Sequence, residues 1–432
     1  MRILIKNINE IYSGKRNEII KDAYIEIIDS HISEINTMEK CPKEDIFDRV
    51  IDGRGKIALP GFINTHTHTG MTLMRGYADD LPLENWLQDK IWPFEAELNR
   101  EDIYWGSALS IVEMIKTGTT LFTDMYFEMD KVAELVGKSG IRAALAEGLI
   151  EKNDGEEGLK RSCEFAKNWQ GAANGRITTL IAPHAPYTCS TEYLNKIKKC
   201  ADEKKLTIHI HVSETKTELE NSIKEKGMSP VKYLNEIGLF ENPVLAAHCV
   251  NLEEGDIEIL AEKNISVAHN PSSNTKLASG IAPVTNLINS GVNVAIGTDG
   301  VSSNNNLDII EEARLASYLQ KVSTSDPTAA DIWDLLKMLT VNGAKALNLE
   351  NLGMLKEGSA ADVILVDITK DSVSYPHHNN LSNLFYASHG NLVDTVIVDG
   401  EILMEKRIIK TLDVERIYHE VDKRSAWIAD KF

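Results

Sequence analysis

The sequence predicts an α/β fold: a (β/α)8 barrel of the TIM type with a small β-sandwich built from both ends of the chain. Three observations carry this expectation. Eight short apolar runs between residues 57 and 299 alternate with amphipathic, helix-like stretches, the texture of a parallel sheet with helical crossovers. Every one of the eight closes on His, Asp or Glu, and a barrel brings the C-terminal ends of its strands to the face that holds active sites. The strand-like texture found before residue 57 returns after residue 361.

The elements follow in chain order. Residues 3–5, 24–28 and 32–35 are β-branched runs separated by polar turns, which reads as a strand meander. The eight barrel runs are 57–66, 120–124, 141–147, 177–184, 206–211, 244–248, 265–269 and 292–299. A helix is expected over 101–116, where Ile103, Leu109, Ile111, Val112 and Ile115 share a helical spacing and Gly118 stops it. Another is expected over 192–205, capped by Ser190 or Thr191. Strands return at 361–366 and 395–398, and Asp399-Gly400 before Ile402-Leu403-Met404 is a hairpin turn. The tail carries Val414, Ile417, Tyr418 and Val421, a helix expected to pack on the barrel or on a partner subunit. The expected domains are 1–56 and 351–404 for the two halves of the sandwich, 57–350 for the barrel and 405–432 for the tail.

Composition narrows the function. Lys plus Arg number 46 and Asp plus Glu 65, a formal charge of −19 over 432 residues. A chain this acidic repels phosphate backbones and anionic lipid, so neither nucleic acid nor a membrane is the expected partner. No apolar run approaches the roughly 20 residues needed to span a bilayer, and the start, Met1-Arg2-Ile3-Leu4-Ile5-Lys6, does not resemble a signal peptide. Five dispersed cysteines, Cys41, Cys163, Cys189, Cys200 and Cys249, form no C-x-x-C pair. They exclude a disulfide scaffold and a cysteine-built zinc site and point to a reducing compartment, the cytoplasm.

The strand ends carry the chemistry. His66 and His68 are separated by one residue, so in an extended strand both imidazoles face the same side and can reach one ion. His209 and His211 repeat the spacing; His211, nearer the strand end, is the expected ligand and His209 a hydrogen-bonded core residue. Asp299, between Thr298 and Gly300, is a carboxylate ligand or a base. Three imidazoles and a carboxylate with room for water fit catalytic zinc, and Fe2+ or Mn2+ would tolerate the same donors. Such an ion lowers the pKa of its water to about 7, and a proton shuttle is then needed. Glu214, three residues past His211, is placed for that; a solvated first-turn glutamate is the bland alternative. His248 ends the sixth run, where it positions the water or stabilises charge, and His184 ends the fourth as a substrate contact. Met71, Met74, Trp86 and Trp92 are either pocket wall or core, and His377-His378 is expected to be a solvated pair outside the barrel.

With His66-Thr67-His68, His211, His248 and Asp299 in this order, the chain resembles the amidohydrolase superfamily over nearly its whole length. Members with two metals carry a lysine on the fourth strand; residues 177–184 contain none, which implies a single ion. Longer motifs narrow the likeness: residues 60–68, Leu83-Glu84-Asn85-Trp86-Leu87 with Trp92-Pro93-Phe94-Glu95, His211-Val212-Ser213-Glu214-Thr215, residues 268–274 and residues 297–306. Together they resemble the 5-methylthioadenosine/S-adenosylhomocysteine deaminase family, near the triazine chlorohydrolases. That resemblance implies that His66, His68, His211 and Asp299 hold one zinc ion per subunit. It implies that Glu214 protonates the purine at N1 and shuttles a proton to departing ammonia, while His248 and Asp299 orient the water that attacks C6. His184 would contact the purine nucleoside and Glu95 the ribose hydroxyls. A homo-oligomer is expected.

In one respect the chain departs from the pattern. The family holds its substrate with arginines after the third strand, and Glu147 and Leu159 stand at about those positions, with Arg142 and Arg161 nearby. An acidic loop disfavours the carboxylate of S-adenosylhomocysteine, so an uncharged adenosine analogue is expected. Three other readings compete: triazine dechlorination or deamination, deamination of a free base such as guanine, and a non-catalytic scaffold.

Overall fold

A computed structural model of the chain describes residues 1–81 and 85–429. Leu83 and Glu84 of the motif above, and the last residues of the tail, lie outside the described residues. Strands β1 (Arg2–Tyr12), β2 (Ile19–Ile28) and β3 (His31–Thr37) form an antiparallel meander. On the other edge of β1 lie β4 (Arg49–Asp52) and β5 (Lys56–Pro60), both parallel to it.

The barrel follows. Its strands are β6 (Phe62–Thr67), β7 (Thr119–Tyr126), β8 (Arg142–Leu149), the short pair β9 (Ile177–Thr179) and β10 (Ala182–Pro183), β11 (Ile208–Val212), β12 (Val244–His248), β13 (Ser266–His269) and β14 (Asn293–Ile296). All neighbours are parallel, in two arcs, β6 to β10 and β11 to β14. A parallel bridge from Ile181 to Ile208 joins the arcs at one seam. At the other, Asp299 N–H donates to the His66 carbonyl at 2.9 Å and the Thr65 hydroxyl to the Ile296 carbonyl at 2.9 Å. Seven of the expected runs fall on strands of this ring, and the run over 57–66 does so only from Phe62 onward.

The chain then returns to the outer sheet with β15 (Val363–Asp367), β16 (Val393–Val398), β17 (Glu401–Glu405) and β18 (Ile408–Ile409). Strand β15 pairs antiparallel with β5, Val363 opposite Pro60, so both ends of the chain share one nine-stranded sheet. Its halves face each other across a core that includes Ile5, Ile25, Ile51, Leu365 and Ile397, and Arg49 of β4 reaches Glu405 of β17 at 2.7 Å. The Asp399-Gly400 turn has φ of +54° and +75°, the pair of left-handed residues a tight hairpin requires.

Two expectations are corrected. The apolar run over 57–66 is two strands rather than one: it turns at Gly61, leaving Lys56–Pro60 in the outer sheet and Phe62–Thr67 in the barrel. Only glycine fits at the corner, because a Cβ there would lie 2.1 Å from the Thr120 hydroxyl oxygen. The cysteines are also less isolated than their spacing implied. Cys163 and Cys200 form a disulfide between the helices Glu151–Trp169 and Thr191–Lys204, which pack together behind the barrel. It is a single cross-link and not a scaffold.

Two charged contacts tie the layers together. Arg142, at the start of β8, donates to Asp362 at 2.9 and 3.2 Å and to Asp399 at 2.7 Å, joining barrel to outer sheet. The helix Arg100–Lys116 opens with a capping box between Asn99 and Asp102. The tail helix Val414–Ala429 packs on it through buried Ile417 and Ile428, and Arg424 lies 3.2 Å from Asp102. The tail thus docks on the barrel of its own chain. His377 and His378 are exposed, as expected. Among the described residues no helix is long and apolar enough to cross a membrane.

Candidate active site

The parallel ring aims its strand ends at one pocket, and that is where the predicted residues meet. Its walls include His68, His184, His211, Glu214, His248, Asp299 and Glu95. His66 lies just beneath, fully buried. The imidazole Nε2 atoms of His66 and His211 are 3.2 Å apart. Asp299 Oδ1 stands 3.2 Å from Nε2 of His68 and 3.5 Å from that of His66. One donor atom from each of His66, His68 and His211 lies within 4.8 Å of the others, and the same holds for His66, His248 and Asp299.

The reason all these Nε2 atoms face inward is found on the opposite ring nitrogens. His68 Nδ1 donates to the Met125 carbonyl at 2.7 Å and His211 Nδ1 to the His184 carbonyl at 2.7 Å. His66 Nδ1 meets His209 Nε2 at 2.8 Å, and His209 Nδ1 meets the Leu245 carbonyl at 2.9 Å. A carbonyl only accepts, so His209 carries its proton on Nδ1 and accepts from His66 on Nε2. In its neutral form each of the three imidazoles therefore points a bare lone pair at the centre. Lone pairs so close repel unless a cation lies among them, and outer partners of this kind are what fix metal-ligating histidines. The donor set, three nitrogens and one carboxylate oxygen, suits zinc.

Electrostatics agree. Burial would lower His68, but its hydrogen bond and charge contact with Asp299 overcome this and raise it to about 9. Burial, outweighing the pull of Asp299, holds His66 and His211 well below the usual histidine range. Burial would raise Asp299, yet the histidines around it hold it well below the carboxylate range. The site thus sets one concentrated negative charge, Asp299, against neutral His66 and His211 and draws positive charge onto His68, the place a divalent cation would take. Asp299 is further fixed by the Ser273 hydroxyl at 2.6 Å. It and His248 adopt φ of +61° and +75°, a strained conformation that the surrounding bonds must hold.

Around this centre stand the proton-handling and binding groups. Burial raises Glu214 above its ordinary value, with His248 opposing and Asp299 adding to the rise; a carboxyl shifted in this direction suits a general acid. His248 Nδ1 lies 2.8 Å from the Asn274 side-chain oxygen and its Nε2 3.9 Å from Asp299. Burial pushes His184 down to about 4, so it enters the pocket neutral. Glu95 accepts from the Tyr126 hydroxyl at 2.7 Å. Met71, Trp86 and Trp92 line the pocket, whereas Met74 belongs to the core. Of the residues after the third strand, Leu159 is buried in the core, Glu147 lies 3.9 Å from Arg161, and Arg142 is held at the outer sheet. Among the described residues the pocket walls carry no Lys or Arg.

Sequence reasoning missed Tyr126, Asn274 and Ser273, whose residue types read as core or loop. It placed His209 in the core but not against His66. Replacing His209 by alanine is expected to weaken metal affinity by about 10–100-fold. A chelator-competition titration checks this, and an unchanged affinity would mean that His66 needs no such support.

Comparison with known proteins places this arrangement. The amidohydrolase family pattern matches residues 57–403. A 5-methylthioadenosine/S-adenosylhomocysteine deaminase of Halothermothrix orenii is 53% identical over 98% of this chain and 99% of its own length. The crystal structure of an adenosine deaminase from Xanthomonas campestris with bound zinc superposes with a TM-score of 0.95 at 32% identity, covering 99% of this chain and 98% of that one. The atrazine chlorohydrolase of Arthrobacter aurescens, also with zinc, shares the fold with a TM-score of 0.88 at 23% identity, over 98% of this chain and 100% of that one.

Proposed function

This chain belongs to the amidohydrolase family and is a hydrolytic deaminase that uses a bound metal ion, and from that premise we propose that it removes the 6-amino group from the adenine ring of a 5′-modified adenosine. One observation carries the reading: a single pocket joins the inward-facing Nε2 cluster to a raised, partly buried Glu214 and to apolar and aromatic walls. Water adds at C6, the amino group leaves as ammonia, and a hypoxanthine ring remains.

The proposed roles follow from the geometry. His66, His68, His211 and Asp299 hold the ion, and zinc suits their donor set, with Fe2+ or Mn2+ tolerated. When bound, the ion supplies activation of the attacking water. Asp299 and His248 would orient that water, and one of them would take up its proton. Glu214 donates its proton to N1, where charge accumulates as C6 becomes tetrahedral; it then relays to the leaving amine the proton taken from the water, and recovers its own from the C6 hydroxyl as the carbonyl forms. Neutral His184 contacts the nucleoside. Glu95, pinned through one oxygen by Tyr126, keeps its other oxygen for the ribose hydroxyls. A free base or a triazine has no hydroxyls to occupy it, which favours a nucleoside over those alternatives. The cytoplasm and a homo-oligomeric state belong to the same proposal, and sedimentation of the purified chain tests the latter.

The apolar part of the walls sets the 5′ preference. Met71, Ile91, Phe127, Ile150 and Leu277 suit a methylthio group. A homocysteine carboxylate would lose its water there and, among the described residues, meet no wall cation. A hydrogen bond to a charged group contributes about 1.5–3 kcal/mol, so kcat/KM for methylthioadenosine is expected to exceed that for S-adenosylhomocysteine by about 10–100-fold. Ammonia release from the two substrates measures the ratio, and a preference for S-adenosylhomocysteine would sink the idea.

A further inference from the structure

Glu218 is a buried carboxylate that the chemistry above leaves without a task. It opens the helix Lys216–Lys226, with Thr215 as the N-cap. Burial pushes its carboxyl up to about 7. Holding a charge there is unfavourable, and among the described residues no ion pair offsets it. Something else must keep it in place.

Its sequence context gives a false lead. Thr215-Lys216-Thr217-Glu218 reads as a capping box, in which the glutamate bonds back to the N–H of the cap residue itself. Half of that box is present: Thr215 Oγ1 accepts from the Glu218 N–H at 3.0 Å. The other half is not. The Glu218 carboxylate reaches past the cap and accepts from the N–H of Glu214 at 2.7 Å and of Ser213 at 3.0 Å. It therefore grips the two residues that lead out of strand β11 to the proton-carrying side chain.

Those two residues need gripping. Ser213 has φ of +52°, a left-handed conformation that a residue with a Cβ adopts only under constraint. The opposite side of the same turn is bolted to the next strand end. Ser213 O accepts from the N–H groups of Val250 and Asn251 at 3.0 and 2.8 Å. Glu214 O accepts from the Asn251 side chain at 2.8 Å. Glu218 supplies acceptors for the N–H side of this turn, and Val250 and Asn251 supply donors for its carbonyl side. The direction of the Glu214 side chain is set between them.

We propose that Glu218 is a positioning residue for deamination: by accepting from the backbone N–H groups of Ser213 and Glu214 it holds a left-handed turn that aims the Glu214 carboxyl at the purine. The proposal rests on the acid role assigned above to Glu214. It touches neither the metal nor the substrate.

A double-mutant cycle tests it with the metal-loaded enzyme. Glu218→Gln keeps size and shape but turns an acceptor into an N–H donor facing a backbone N–H. A displacement near 1 Å costs about 10²-fold, so kcat is expected to fall about 10–100-fold with KM within about threefold and metal content unchanged. In a Glu214→Gln background the same substitution is expected to change kcat by less than about twofold, because the group being aimed is gone. Glu218→Asp, which keeps the charge but withdraws it by one methylene, is expected to fall between wild type and the amide, and serves if the amide variant does not fold. Wild-type kcat in a folded Glu218 variant would overturn the proposal. So would a full multiplicative loss in the double variant, or a loss that follows metal content. A Glu214→Gln enzyme with undiminished kcat is a different failure: it would refute the acid role itself.

Discussion

Glu214→Gln is expected to lower kcat about 10²–10⁴-fold while the protein keeps its metal. The amide is the same size and donates a hydrogen bond to N1, but it cannot transfer the proton that the tetrahedral C6 centre requires. Burial raises the Glu214 carboxyl, and the Asp299 charge adds to that rise against the opposing pull of His248. Ground-state binding should change little, because the site keeps its walls, its ribose contact and its ligands. Stopped-flow ammonia release and metal analysis on one preparation separate these effects. A variant with full kcat would take the acid role away from Glu214, and a variant without metal would show that Glu214 supports the ion as well.

Metal removal is expected to have a larger effect still. Without an ion, water keeps a pKa near 15.7 instead of about 7, and no other group in the pocket replaces that activation. Chelator-treated protein should lose turnover by at least about 10³-fold and recover it when zinc returns. Asp299→Ala should give the same loss with no recovery at ordinary zinc concentrations. Asp299 is the anionic member of the cluster, lying 3.2 Å from His68 and 3.5 Å from His66, and the remaining imidazoles would hold a cation without charge compensation. Turnover that persisted in metal-depleted protein would end the metallohydrolase reading. Recovery with Mn2+ or Fe2+ but not zinc would keep the mechanism and change the ion.

The ring of candidate residues was legible because two periodicities coincide. Barrel strands end at one face, and residues two apart on a strand share a side, so His66, His68 and His211 announce a common target. Asp399-Gly400 was legible because few residue pairs tolerate two left-handed φ values. Other features were hidden for equally physical reasons. Apolar character runs unbroken through residues 57–63, so nothing marked the change of sheet except Gly61, whose role depends on Thr120 across the corner. Tyr126 lies in a strand and reads as core until its hydroxyl is seen against Glu95. Glu218 carries a signature that predicts a cap, and the carboxylate goes elsewhere. Cys163 and Cys200 are 37 residues apart and meet only because two helices pack. Each hidden feature is a contact between distant segments, and local pattern does not report such contacts.

The pairing of β5 with β15 has a consequence for how the chain is made. On a ribosome, β1 to β5 emerge first and can pair with one another, but the free edge of β5 must wait for Val363 to reach Pro60. The entire barrel is synthesised in that interval. Throughout it, the nascent outer sheet presents an open row of backbone donors and acceptors beside an apolar face, the kind of edge that recruits other chains. The metal ligands have a similar schedule, since His66 meets Asp299 only when more than half the polypeptide exists. Long-range closures of this sort make folding slow. The last strands to be synthesised thus act as a seal over the first, and a truncation before β15 would leave a completed barrel attached to an adhesive half-sheet.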